Sequence, residues 1–83
     1  MKAQMQQFIQ LSQSEILLSF AASCIEGVAR RLGIGYHEAY TRLKKVDLID
    51  KYIIEYYDVL HLESRTHVID NVVECLNNWE ANK

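Results

Sequence analysis

The run Tyr57-Asp58-Val59-Leu60-His61 sets a phenol, a carboxylate and an imidazole within five positions, and Glu63, Arg65 and His67 follow it. Asp58 and His61 stand three apart, so on a helix they share one face within bonding reach. A carboxylate that steadies an imidazole is the core of general-base chemistry. That chemistry also needs a nucleophile and an enclosing pocket, and the nearby candidates are only Ser64 and Thr66. The simpler expectation is that His61 closes a helix end, its ring near the carbonyl pole and its proton held by Asp58. No catalytic residue is assigned.

Metal chemistry is less supported still. Histidines 37, 61 and 67 show no paired spacing with Cys24 or Cys75 of the kind that zinc requires, so neither metal nor cofactor is expected. A DNA reader has one motif in its favour. Across residues 29–40 an Ala, a turn Gly four residues on, the Ile after it and Ala39 five later match helix-turn-helix spacing. In that alternative Arg30, Arg31, Tyr36, His37 and Arg42 would meet nucleic acid. Yet the would-be recognition helix opens with Tyr36, His37 and Glu38, and phosphate contact needs local positive charge. The corner could gather Arg30, Arg31, Arg42, Lys44 and Lys45 into a patch, although surface charges are commonly matched by neighbouring carboxylates.

Composition bounds the remaining possibilities. The chain has 83 residues, 49% of them hydrophobic and 24% charged, which is a globular balance with room for one domain and one core. A net charge of −2 disfavours a generic nucleic-acid binder. No apolar run approaches a membrane span or a signal segment, so the expected compartment is the cytoplasm with no membrane partner. Two cysteines in that setting are expected to be reduced thiols packed as small hydrophobes.

The elements that must position these residues are helices, because there is no Pro and Gly occurs only at 27, 33 and 35. Ser12 and Glu15 form a capping box, flanked by Leu11 and Ile16 as a hydrophobic staple, and Gly33 provides a left-handed stop. The first helix is therefore expected over 13–32. Its apolar arc, from Ile16, Leu17 and Leu18 through Phe20, Cys24 and Val28 to Leu32, covers roughly 200° at about 100° per residue. That width marks a central helix, with Gly27 allowing a close crossing. A second helix is expected over 36–45, and a third, capped by Asp47, through about Leu60. The third should bury Leu48, Ile49, Tyr52, Ile53, Tyr56 and Leu60 and leave Ile54 and Tyr57 at the edge. Ser64 should cap a fourth helix with Val68, Ile69, Val72, Val73, Leu76 and Trp79 inward and a frayed end. Residues 1–11, with Met5, Phe8 and Ile9 at helical spacing, are expected to be either a short segment docked on the bundle or a flexible one. The fold class is thus all-α: one domain, a compact bundle of about four helices with a helix-turn-helix-like corner.

Several of these residues together resemble a known family. Phe20, Cys24-Ile25-Glu26, the Leu32-Gly33 turn with Glu38-Ala39-Tyr40 after it, Leu48-Ile49-Asp50, Tyr57-Asp58-Val59-Leu60-His61 and Ile69-Asp70 are similar to a family of short uncharacterised bacterial all-helical proteins. The match runs from about Phe20 to Leu76, and the Tyr-Asp-Val-Leu-His run is its most specific piece. The family carries no assigned activity. Its members are often encoded beside proteins that look like ADP-ribosyltransferases, so the resemblance implies an antitoxin or immunity role. This chain departs from the pattern in reading Leu62-Glu63 after His61, where relatives have Thr then Gly.

The function expected from surface and resemblance together is a non-catalytic protein-binding module whose partner is another protein, such as a toxin-like enzyme. Its contact face is Ile54, Tyr57, Asp58, His61 and Arg65, since aromatic side chains are enriched at protein interfaces. A DNA-binding regulator and a self-associating homodimer are the alternatives.

Overall fold

The computed structural model describes residues 12–82, and all regular structure among them is helical. The elements are α1 (Gln13–Leu32), α2 (Tyr36–Lys45), a π-helical segment π1 (Ile49–Ile54), α3 (Tyr57–Leu60) and α4 (Arg65–Ala81). The expected staple residue Leu11 and the expected docking of residues 1–11 lie outside the described residues.

Helix α1 starts where its side chains can satisfy its first amides. Glu15 N donates to Ser12 Oγ at 3.1 Å, and Ser12 N donates to Glu15 Oε1 at 3.0 Å. It stops where the backbone turns left-handed: Gly33 has φ 69°, its N–H donates to the Arg30 carbonyl, and Ile34 N donates to Ala29 O. This paired bonding, with Ile34 folded back over the last turn, is a Schellman ending. Ala21, Cys24, Ile25, Val28 and Ala29 are buried, and the helix packs on α2, π1 and α4, as its wide apolar arc predicts. Leu18 is an exception, 64% exposed at the edge of a groove that it lines with Tyr36, Tyr40 and Ile49.

Gly27 marks a close approach of α1 and α4. A Cβ at this position would lie 2.5 Å from Ile69 Cδ1 and 2.7 Å from Cγ1, well inside carbon–carbon contact distance. Only a glycine lets α4 lie this near α1. Helix α4 buries Val68, Ile69, Val72 and Leu76 and half-buries Val73 and Trp79. Ser64 caps it, accepting from His67 N at 3.2 Å. Its end does not fray as the sequence suggests. The helix continues to Ala81 because Arg42 grips Glu80 through two hydrogen bonds, Nε to Oε2 at 2.9 Å and Nη2 to Oε1 at 2.7 Å.

The third helix departs most from expectation. Asp47 is not its side-chain cap. The residue is left-handed, with φ 62°, and it contributes its carbonyl to Lys51 N. The following turns are π-helical, so the inward stripe advances by five residues instead of three or four. Leu48 and Ile53 are both buried, Ile49 and Ile54 are both half-buried, and so are Tyr52 and Tyr57. The extra residue puts Tyr57 where a continuous α-helix would put Tyr56, and Tyr56 turns outward, 52% exposed. The helical path then breaks at Tyr56, leaving α3 a single turn.

Candidate functional site

Around α3 the chain mixes three- and four-residue bonds: Val59 N donates to the Tyr56 carbonyl at 3.0 Å and Leu62 N to the Val59 carbonyl at 3.2 Å, while Leu60 N donates to the Tyr56 carbonyl at 2.9 Å and His61 N to the Tyr57 carbonyl at 3.0 Å. Tyr56, Val59 and Leu62, each three positions from the next, form an exposed apolar row, at 52%, 57% and 77%. Large apolar residues exposed singly are ordinary; three within about two helical turns are a surface feature.

Next to this row lies an ordered aromatic cluster. Tyr57 meets Phe20 of α1 edge-on, with centroids 5.1 Å apart, and stacks nearly parallel on His61 at 4.4 Å. Arg65 extends the cluster from the first turn of α4, its guanidinium carbon 5.9 Å from the Phe20 centroid. Arg65 also borders a shallow hollow with Ser23, Glu26 and Arg30.

Three of the expected contact residues, Tyr57, His61 and Arg65, therefore come together through Phe20. Asp58 is exposed on the same short helix, but it does not hold the imidazole. His61 Nδ1–H donates to the Tyr57 carbonyl at 2.7 Å, the bond a helix-closing histidine makes, with the backbone as its partner in place of the expected carboxylate. Ile54 stands apart, half-buried in a cleft with Leu18, Tyr40 and Ile49. Sequence reasoning missed Tyr56, Val59 and Leu62. Their spacing of three was the available signal, hidden by the expectation that Tyr56 faces the core.

The residues of the nucleic-acid alternative are dispersed among partners. Arg30 pairs with Glu26 at 2.9 Å, Arg31 with Asp70, and Arg42 with Glu80. The bonds from Arg42 hold the Glu80 carboxyl below the ordinary carboxylate value, despite the opposing effect of partial burial. Each of these arginines thus faces a carboxylate of the same chain. Tyr36 and His37 are exposed at the start of α2, where they border an apolar groove of about 340 Å³.

Both cysteines are free, and burial pushes the Cys24 thiol up to about 11, far from the range of a reactive thiolate. Among the described residues no cluster of three His, Cys, Asp or Glu side chains is arranged to hold a metal ion. Nor is any described helix long and apolar enough to cross a membrane.

No curated protein and no solved structure matches this chain. A family model does match, over residues 19–79, a span that includes the aromatic cluster, the exposed row and most of α4. The chain belongs to that family, described as protein of unknown function (DUF3791).

Proposed function

We propose that this protein is a non-catalytic binding module that holds another protein against the Tyr56–Val59–Leu62 row. The observation that carries the reading is the row itself: three large exposed apolar side chains close together in the chain, next to the Phe20, Tyr57, His61 and Arg65 cluster. An ordered cluster lowers the ordering cost of binding, because side chains already fixed lose little freedom when a partner arrives. Arg65 and Asp58 supply charge at the rim, where it sets register and encounter rate more than affinity.

The partner class that fits is a toxin-like enzyme, as the ADP-ribosyltransferase-like neighbours implied by the family resemblance suggest. Inhibition would then be occlusion, the apolar row covering the enzyme's cleft. Support for binding over catalysis comes from His61, which is paired with the Tyr57 carbonyl and ring and not with the Asp58 carboxylate. Support for protein over DNA comes from the pairing of Arg30, Arg31 and Arg42 with carboxylates.

The test compares the native chain with a Val59→Asp, Leu62→Asp variant in affinity capture from nuclease-treated extract, followed by titration against the protein recovered. Both positions are exposed, so the variant should fold, and it should lose about 2 kcal/mol or more of binding, roughly 30-fold. An unchanged stoichiometric complex would remove the row from the interface. Salt-sensitive binding of duplex DNA, abolished by Arg30→Ala with Arg31→Ala, would replace this reading with the regulator.

A further inference from the structure

The groove between α1 and α2 is a second apolar surface, sharing no residue with the Tyr56–Val59–Leu62 row. Leu18, Ala22 and Ile25 of α1 form one wall, Tyr36 and Tyr40 of α2 the other, and Ile49 closes the end of a hollow of about 340 Å³. An adjoining cleft of about 250 Å³ shares Leu18, Tyr40 and Ile49 and is bordered by Lys44, Asp47 and Asp50. Leu18, 64% exposed, lines both hollows and projects where they meet.

We propose that a second copy of this chain covers the groove, the two copies being related by a two-fold axis that passes near Leu18. Such an interface presents one patch to itself. The patch must therefore carry both a projection and a recess, and both signs of charge if it is charged at all. This one does. Leu18 is the projection, and the hollow beside it is the recess that the other copy's Leu18 enters.

The charges match in the same way. Lys44 donates to the Tyr40 hydroxyl at 3.3 Å, and its ammonium lies 5.6 Å from that ring's centroid, which holds it at the edge of the patch. Among the described residues neither Lys44 nor Asp47 nor Asp50 forms an ion pair, although all three border one cleft. Arg30, Arg31 and Arg42 differ in this respect, each being matched by a carboxylate of its own chain. Across a two-fold axis Lys44 of each copy meets Asp50 of the other, and the pairing occurs twice. A partner bearing charge of one sign would meet repulsion along part of this mixed border. The pairing uses no residue of the row, so this inference and the proposed function can fail separately.

Sedimentation equilibrium of the full chain is the experiment. The 9.7 kDa chain should weigh twice that at about 100 μM. Leu18→Asp should raise the dimer dissociation constant roughly 30-fold or more, as loss of a central apolar contact does, while Val59→Asp with Leu62→Asp should leave it unchanged. Charge exchange then tests the register. Lys44→Glu makes the cleft border wholly acidic and Asp50→Lys makes it mainly basic, at positions exposed in the single chain. Each variant alone should dissociate more readily than the native chain. Mixed in equal amounts they should pair with each other, which also shows that both are folded. A native chain still monomeric at about 1 mM overturns the proposal and leaves the groove to another occupant. A dimer that survives Leu18→Asp overturns it too, and if Val59→Asp with Leu62→Asp dissolves that dimer, self-association belongs to the row. Charge variants that pair no better mixed than alone also overturn it.

Discussion

Replacing Gly27 by alanine tests the close crossing of α1 and α4. In a helix interior the change normally stabilises by about 1 kcal/mol, since alanine restricts the unfolded chain and forms helix better. Here the new methyl would meet Ile69 Cδ1 at 2.5 Å and Cγ1 at 2.7 Å, where carbon atoms prefer about 3.5–4.0 Å. Rotating χ2 of Ile69 moves Cδ1 only. Cγ1 is fixed by χ1, and a β-branched residue in a helix has essentially one χ1 well. Relief must come from parting α1 and α4, and overpacking of this kind costs about 1–3 kcal/mol. The helix gain and the packing loss leave a net destabilisation of up to about 2 kcal/mol, or up to about 15 °C in Tm for a domain of this size. Urea unfolding followed by Trp79 fluorescence measures it, since that indole is half-buried against the core. Ile69→Val alone should cost about 0.5–1.5 kcal/mol. Combined with Gly27→Ala it removes the nearer clash, so the double variant should recover about 1 kcal/mol relative to the sum of the two. A Gly27→Ala variant more stable than the native chain, and additive with Ile69→Val, refutes the close crossing.

Three further outcomes follow from local chemistry. Glu80 titrates below its ordinary value near 4.5 because Arg42 bonds its charged form, so the pair stabilises the fold above that pH and the benefit is lost as pH falls through the lower, folded value. With both side chains about a third exposed, the contribution is under about 1 kcal/mol; Glu80→Gln should flatten that part of the stability–pH curve, and an unaltered curve counts against the pairing. Cys24, fully buried and raised to about 11, should gain no adduct from iodoacetamide at pH 8 in the native state, yet react fully in urea; rapid native labelling seen by mass spectrometry contradicts its burial. Asp47, at φ 62°, should accept glycine with a gain of up to about 1 kcal/mol but lose about 1–2 kcal/mol as valine, and equal urea midpoints for the two variants would show that its backbone is not left-handed in solution.

What the sequence reveals here is what short-range chemistry decides. The bounds of α1 are set by Ser12, Glu15 and Gly33, whose bonds span five residues or fewer. The start of α4 follows from Ser64 in the same way. Tyr57, His61 and Arg65 could be grouped in advance because they lie within nine positions of one another. The π1 segment escaped because Tyr52, Ile53, Ile54, Tyr56 and Tyr57 are apolar at spacings of three, four and five alike, so periodicity could not select the wide turn. Leu18 resembles the other apolar residues of α1, and only the folded arrangement shows that it stands exposed at the edge of a groove. The Arg42–Glu80 pair joins residues 38 positions apart, a distance at which residue type carries no information about contact. Ile54 was separated from Tyr57 for the same reason that Tyr56 was exposed: the extra residue in π1 changes which side chains share a side.

That wide turn also makes the segment tolerant of a change in length. Removing the exposed Lys51 would let π1 close into an ordinary α-turn, with Ile53 four positions after Leu48 in place of five and still seated over it. The rotation is absorbed within one turn, so Leu60 would stay in the core and Tyr56, Val59 and Leu62 would keep their outward aim. The same deletion in α1 would turn everything beyond it by about 100° and unseat Gly27 from Ile69. Insertions and deletions between relatives of this chain should therefore concentrate at π1 and be excluded from α1.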